Sequence, residues 1–300
     1  MLNSARFGRT VATRGAKFTI SFALVAASLT LLTGCQKQDE HAPFAAGCES
    51  DCKPTPGITI GSSGTAAGGA GGAAASDAGF TAGELSGQVL ALTDDTFSQG
   101  TLFAQSATIS ADGASGAPVS GTWNGADPYA LSGLAVSATN WVRVTPTNVQ
   151  GDALPTIQAV QTNATDSADL FVIDAAAIDS VLIAVSAVRA PGLGQVVLFF
   201  RNAGTGAPLS GVQAVMKNNA AETAAYAATS GWVLQDDTTT TSAKGLVVFG
   251  NVSLPTGGST TQTVTVSRPA TATTAAVSGG QFSVQVAEGA VTLATVGLKL

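Results

Sequence analysis

The sequence predicts an all-β protein: two antiparallel β-sandwich domains joined by a short helix, preceded by a signal peptide and a disordered Gly/Ala tether. Three observations lead there. From residue 84 onward, short β-branched runs alternate with Gly, Pro, Asn and Asp clusters at the spacing of an all-β sandwich. Residues 175–187 break that texture and place apolar side chains at helical spacing. Of the 27 residues from 57 to 83, seventeen are Gly or Ala, too little side chain to offset the entropy of ordering them. The expected division is a signal peptide (1–34), an anchored flexible linker (35–83), a first sandwich (84–173), a connecting helix and linker (174–193) and a second sandwich (194–300).

At the N-terminus, Arg6, Arg9, Arg14 and Lys17 form a basic region with no acidic residue. Residues 18–32 follow, fifteen largely apolar residues, the length of a signal-peptide core. A spanning helix needs about 20. Leu32-Thr33-Gly34-Cys35 closes the segment with two small residues and a cysteine. That ending resembles the bacterial lipobox. The resemblance implies cleavage before Cys35, diacylation of its thiol, and a bacterial lipoprotein attached to a membrane through its N-terminal lipid. Two or more acyl chains hold stably where one is marginal. Gln36 stands where an Asp would favour inner-membrane retention, which implies the outer membrane. The competing readings are a secretory signal with a coincidental cysteine and an uncleaved anchor helix.

Residues 1–34 carry four of the thirteen basic residues and no acid, so the remaining 266 residues hold nine Lys and Arg against nineteen Asp and Glu, a formal charge of −10. Such a chain repels phosphate backbones, which excludes nucleic acid as a partner. No stretch after Cys35 reaches spanning length without Gly, Pro or charge. Cys48 and Cys52, in a Gly/Pro-containing segment behind an export signal, suit a local disulfide. A metal site with His41 is the sharper alternative, but a structural zinc site wants four ligands at defined spacing. By the flexible-linker estimate, the tether gives a folded body a root-mean-square reach of roughly 40 Å above the lipid.

Strands are expected at 86–92, 107–111, 134–138, 141–145, 157–162 and 170–173 in the first half. The second half offers 195–201, 212–216, 231–235, 246–249, 261–267, 281–287 and 290–296. Phe282, Val284 and Val286 alternate with Ser283 and Gln285, which makes one face buried and one wet. Between the halves, Ile178, Val181, Leu182, Val185 and Val188 recur at helical spacing behind Asp174 in N-cap position, and Pro191-Gly192 ends the run. The competing reading is a strand over 181–188. Gly116-Ala117-Pro118-Val119-Ser120-Gly121 recurs ninety residues later as Gly206-Ala207-Pro208-Leu209-Ser210-Gly211, and Trp141 and Trp232 fall near the same offset. This suggests two related halves.

Gly206-Ala207-Pro208-Leu209-Ser210-Gly211-Val212, followed by Thr241-Ser242-Ala243-Lys244-Gly245 and Phe249-Gly250-Asn251-Val252, resembles bacterial Ig-like and carboxypeptidase-regulatory-like (transthyretin-like) domains. The match covers residues 195–255; the first half fits less well, with Asp169 where the hairpin glycine belongs. The resemblance implies that the Pro-Leu turn enters a core strand and that Phe249 points inward. It transfers no catalytic residue.

The chemistry available to residues 84–300 is narrow. The one histidine, His41, precedes them and no cysteine follows Cys52, so the general base of Ser-His and Cys-His machinery is missing there. So are the His and Cys ligands of transition-metal sites, and no cofactor is expected. Asp94-Asp95 and Asp236-Asp237 are adjacent and would point to opposite faces of a strand; solvated turns are the simpler reading. Asn163, Asp166, Asp169 and Asp174 lack calcium-loop spacing and read as turn formers. Trp123, Tyr129 and Trp141 fall in or beside a Gly/Asn/Pro loop where aromatic faces would suit a sugar ring or a partner, or else they are core. Trp141 and Trp232 read as core. The expectation is a non-catalytic envelope lipoprotein with a structural, adhesive or display role. The alternative is a polysaccharide-binding lipoprotein working through Trp123 and Tyr129; an acid-pair hydrolase is the third reading.

Overall fold

The computed structural model describes residues 58–59, 82–148, 152–236, 239–255, 258–270 and 276–299, all within one compact unit. The first half carries twelve of the strands. They begin with Ile58–Thr59 (β1), Ala82–Gly87 (β2), Val89–Leu92 (β3), Gly100–Leu102 (β4), Ala107–Asp112 (β5) and Pro118–Trp123 (β6). Tyr129–Ala135 (β7), Ala138–Pro146 (β8), Ala153–Leu154 (β9), Thr156–Thr162 (β10), Thr165–Ser167 (β11) and Leu170–Asp174 (β12) follow. The helix Ala175–Ala184 (α1) leads to the second half. Its strands are Gly194–Asn202 (β13), Gln213–Met216 (β14), Ala221–Ala227 (β15) and Trp232–Leu234 (β16). Leu246–Val252 (β17), Ser259–Arg268 (β18), Val277–Ala287 (β19) and Val291–Leu298 (β20) complete it.

The β-sandwich class predicted from alternation is what the chain adopts, and its organising element is a ten-stranded sheet. Its order is β16-β15-β17-β13-β20-β10-β8-β5-β6, with β1 added beside β20. Three smaller sheets accompany it: β11-β2-β7, β4-β3-β12-β9 and β14-β18-β19. The sheets are mixed rather than purely antiparallel. After the β18–β19 hairpin the chain returns so that β20 lies parallel to β13 on one side and to β10 on the other. A strand so enclosed reads as a continuous apolar run, and Val291, Leu293, Ala294 and Val296 are all buried. That one insertion makes a single sheet out of both halves of the chain.

Three large apolar clusters fill the layers, beside a small one of Ile157, Ala287 and Ala290. Val196, Leu198, Phe200 and Phe249 of the large sheet meet Val264, Val266, Val284 and Val286 of the β14-β18-β19 sheet. Ile109, Val142 and Val144 pack with Leu85, Leu131 and Val172 in the first half. The third cluster draws on both halves, joining Leu90, Leu92, Phe97 and Phe171 to Val197, Phe199, Val248 and Leu293 through α1.

The helix forms where its signals place it. Asp174 Oδ1 accepts the Ala176 amide at 2.9 Å, and Ala177, Ile178, Val181 and Leu182 are buried. Each fully buried Ile, Val or Leu contributes about 1.5–3 kcal/mol. The helix stops at Ala184, short of the expected residue 187, because Ser186 takes a left-handed φ of 60° and Ala187 N–H bonds back to Leu182 O at 2.8 Å. Val188 is consequently exposed.

The Pro-Leu turn motif is a closed hydrogen-bond unit. Thr241 Oγ1 donates to Leu209 O at 2.8 Å and accepts the Val212 amide at 3.0 Å. Gly245, at φ +63°, lets its carbonyl receive the Phe200 amide; a Cβ there would stand 2.4 Å from Phe200 O. Phe249 points into the core, as the resemblance implies. The ninety-residue repeat has no such expression: Trp141 lies on β8, between two neighbours, while Trp232 lies on the sheet edge β16.

Candidate functional site

Cys35, Cys48 and Cys52 lie outside the described residues, as does His41. Trp123 and Tyr129 are described, and they correct the expectation of a ligand-binding aromatic loop. Each is 1% exposed. Trp123 Nε1–H donates to Phe103 O at 2.7 Å and the Tyr129 hydroxyl to Ala168 O at 2.6 Å, so their polar ends are spent on backbone. The loop between them folds on itself: Asn124 Oδ1 accepts the Ala126 and Asp127 amides, and Gly125, at φ +93°, presses against Ala104 O. This tight closure sends both rings into the first-half core. Burial, reinforced by the charge of Asp169, pushes the Tyr129 phenol well above its ordinary value.

The acids occupy turns and caps. Asp94 accepts from the Thr96 and Ser98 hydroxyls and from the Ser98 and Gln99 amides. Partial burial opposes its ionisation, but those hydrogen bonds outweigh it and hold the carboxyl below its ordinary value. Asp166 bonds Asn163, Asp169 Oδ1 accepts the Gln88 amide at 3.1 Å, and Asp174 caps α1. Asp179 pairs with Arg189 at 2.8 Å. Asp152 and Asp174 border a depression of about 440 Å³, where Asp174 is already committed to the helix cap. Among the described residues, no group of three His, Cys, Asp or Glu is placed to hold a metal ion.

Trp141, expected in the core, opens onto a groove instead. On β8, Val142 and Val144 face inward and are fully buried, which turns Trp141 and Arg143 to the other face. That face continues the one which the β14-β18-β19 sheet covers in the second half. The cover ends at Trp141, whose ring is half-buried against it. The result is a groove of about 320 Å³, open to solvent. Asp112, Trp141 and Arg143 form one wall, and Ser259, Thr260 and Gln285 the other. Among the described residues no carboxylate pairs with Arg143 and no acceptor takes the Trp141 indole N–H, which is not buried. Aromatic surface, a cation, an acid and hydroxyls meet there without being consumed by the fold.

Of these groove residues, Trp141 is weighed for binding from sequence and read as core, and the others are not singled out, although the signal was present. Trp-Val-Arg-Val alternation on one strand already places the valines inward and the other two outward. No protein-family model matches the chain, and no curated protein matches it either. Among solved structures it is similar to the shaft pilin SpaA of Lactobacillus rhamnosus GG, at 9% identity and a TM-score of 0.20, over 71% of this chain and 97% of that one. It is similar to a Streptococcal ancillary pilin at 10% identity and a TM-score of 0.18, over 72% and 63%. The major pilin subunit of Bacillus cereus matches at 11% identity and a TM-score of 0.20, over 72% and 69%. Likenesses of this size assign no function. Among the described residues, no helix is long and apolar enough to cross a membrane.

Proposed function

We propose that the protein is a non-catalytic structural or adhesive module of the bacterial cell envelope, held on the outer membrane by a lipid on Cys35. One observation supports this most: β20 and the core around α1 join both halves of the chain into a single sheet-bearing body. A body of that kind transmits position and force, and Asp94, Asp166, Asp169 and Asp174 serve its turns and caps. The edge strand β16 adds a surface for neighbours. Among the described residues it pairs only with β15, and it exposes Val233 and Leu234, so an incoming strand finds both main-chain groups and apolar side chains. The carboxypeptidase-regulatory-like and Ig-like resemblance fits the same reading.

Cells producing the full chain and its Cys35→Ser variant test the anchor. The wild type should sediment with membranes and take up labelled fatty acid, while the variant is released. Equal membrane association of the two refutes lipidation. A photo-crosslinker at position 234 tests the structural role: adducts with an envelope protein support it, and monomer alone at every exposure overturns it.

A further inference from the structure

We propose that the Trp141 groove binds a neutral polysaccharide, with the hydroxyl-bearing face of β5, β6 and β8 as the platform along which the polymer extends. A pyranose ring offers an apolar C–H face and a rim of hydroxyls that donate and accept. The groove answers each of these. The Trp141 ring supplies a partly exposed aromatic edge and an unshared N–H donor. Arg143, two residues along the same face, brings a guanidinium free of any ion pair among the described residues. Asp112 contributes an exposed carboxylate acceptor, and Thr260 and Gln285 line the opposite wall.

The register extends this set into a track. Ser110 lies opposite Arg143, and Thr108 opposite Thr145, across the β5–β8 ladder. On the far side of β5, Ser120 and Thr122 continue the same rows. None of these six side chains is buried, whereas the alternating positions Ile109, Val142 and Val144 are. The face is therefore a flat field of hydroxyls running into an aromatic groove. That is the geometry of an extended polymer site rather than a pocket that encloses a small molecule.

Charge selects among polymers. One carboxylate and one guanidinium leave the groove without net charge, while the chain after Cys35 carries −10. Its field opposes polyanions, so the ligand is neutral.

The proposal adds a ligand to the envelope module and rests on that reading for the polymers it would meet. The test uses the full chain in detergent. Its three tryptophans make it self-reporting: Trp123 and Trp232 are buried at 1% and 8% exposure, so acrylamide quenching reads Trp141. Laminarin, dextran and yeast mannan are the neutral probes, with alginate and polygalacturonate as anionic counterparts. At least one neutral polymer should protect Trp141 from quenching. Asp112→Asn and Arg143→Gln should each weaken that polymer about tenfold with the melting temperature unchanged. Trp141→Phe should retain weaker binding. No protection by any neutral polymer, equal protection by the anionic ones, or wild-type affinity in both polar variants would each overturn the proposal. If those failures coincide with release of Cys35→Ser from membranes and crosslinks at position 234, the structural module stands and the groove reading alone falls.

Discussion

The Phe97 ring meets the Trp232 ring edge-on, with centroids 6.4 Å apart and planes at 68°. The pair spans the two halves of the chain, since Phe97 follows β3 and Trp232 opens β16. Phe97 is fully buried at a left-handed φ of 51°, a conformation costing about 1–3 kcal/mol that persists only where its surroundings enforce it. Here the enforcement comes from the Asp94 turn behind it and the shared core around it.

Replacing Phe97 by Ala should therefore lower unfolding stability by about 3–5 kcal/mol. Because the lost contacts lie in a core common to both halves, tryptophan emission and far-ultraviolet dichroism should move to lower urea together. A variant within about 1 kcal/mol of wild type, or two separated transitions, would contradict the shared core.

Asn251 ties the segment after α1 to the large sheet. Its Nδ2 donates to Val188 O and Glu222 Oε2, both at 2.9 Å, while its Oδ1 accepts the Ala190 amide at 2.9 Å. It is 4% exposed at a φ of 54°, which Asn tolerates and Ala resists. Asn251→Ala should cost about 3 kcal/mol, and Asn251→Gly about 1 kcal/mol less because glycine keeps the backbone while losing the same bonds. Chemical denaturation of both variants checks the order; Gly falling below Ala would break it.

Alkaline stability should track the buried phenols. The Tyr226 hydroxyl donates to Ala214 O at 2.8 Å and accepts the Ala214 amide at 2.9 Å. Burial outweighs the backbone bond and pushes its pKa from 10.0 to about 12. A raised folded value means the contribution is whole below 10.0 and lost as pH climbs toward about 12. Tyr226→Phe should cost about 1–3 kcal/mol at neutral pH by leaving the Ala214 amide without its acceptor, and should flatten the decline above pH 10. An unchanged alkaline slope would refute the assignment.

On β20, the Thr295 hydroxyl is buried with no hydrogen-bond partner among the described residues. Thr295→Val keeps the branched shape and removes an uncompensated polar atom, so stability should rise by about 1 kcal/mol. A lower melting temperature would mean the hydroxyl is satisfied after all.

Several elements could be read without coordinates because their signals are local. Asp174 and the 3.6-residue spacing of Ile178, Val181 and Leu182 make a helix wherever that face finds a cover. Thr241 and Gly245 close the Pro-Leu turn through bonds that need those residue types. Other elements left no such mark. β15, Ala-Glu-Thr-Ala-Ala-Tyr-Ala, has one β-branched residue and becomes a strand because β16 and β17 flank it. β6 and β7 were missed for a related reason: their glycines and serines are poor strand formers, placed there by the ladders they join.

Local chemistry by itself determined the β class, the capped helix, the Pro-Leu turn and the shortage of proton-transfer groups, since each depends on residues close in sequence or on composition. Tertiary structure alone decided where the cover over the Trp141 face ends. Trp123 faces the first-half core, whereas Trp141 lies on the opposite face, where the β14-β18-β19 sheet stops. The groove joins Asp112 and Arg143 to Thr260 and Gln285 across more than a hundred residues, through the parallel insertion of β20 between β13 and β10. No periodicity in the chain encodes that pairing, because it arises from closing two open sheet edges with one strand.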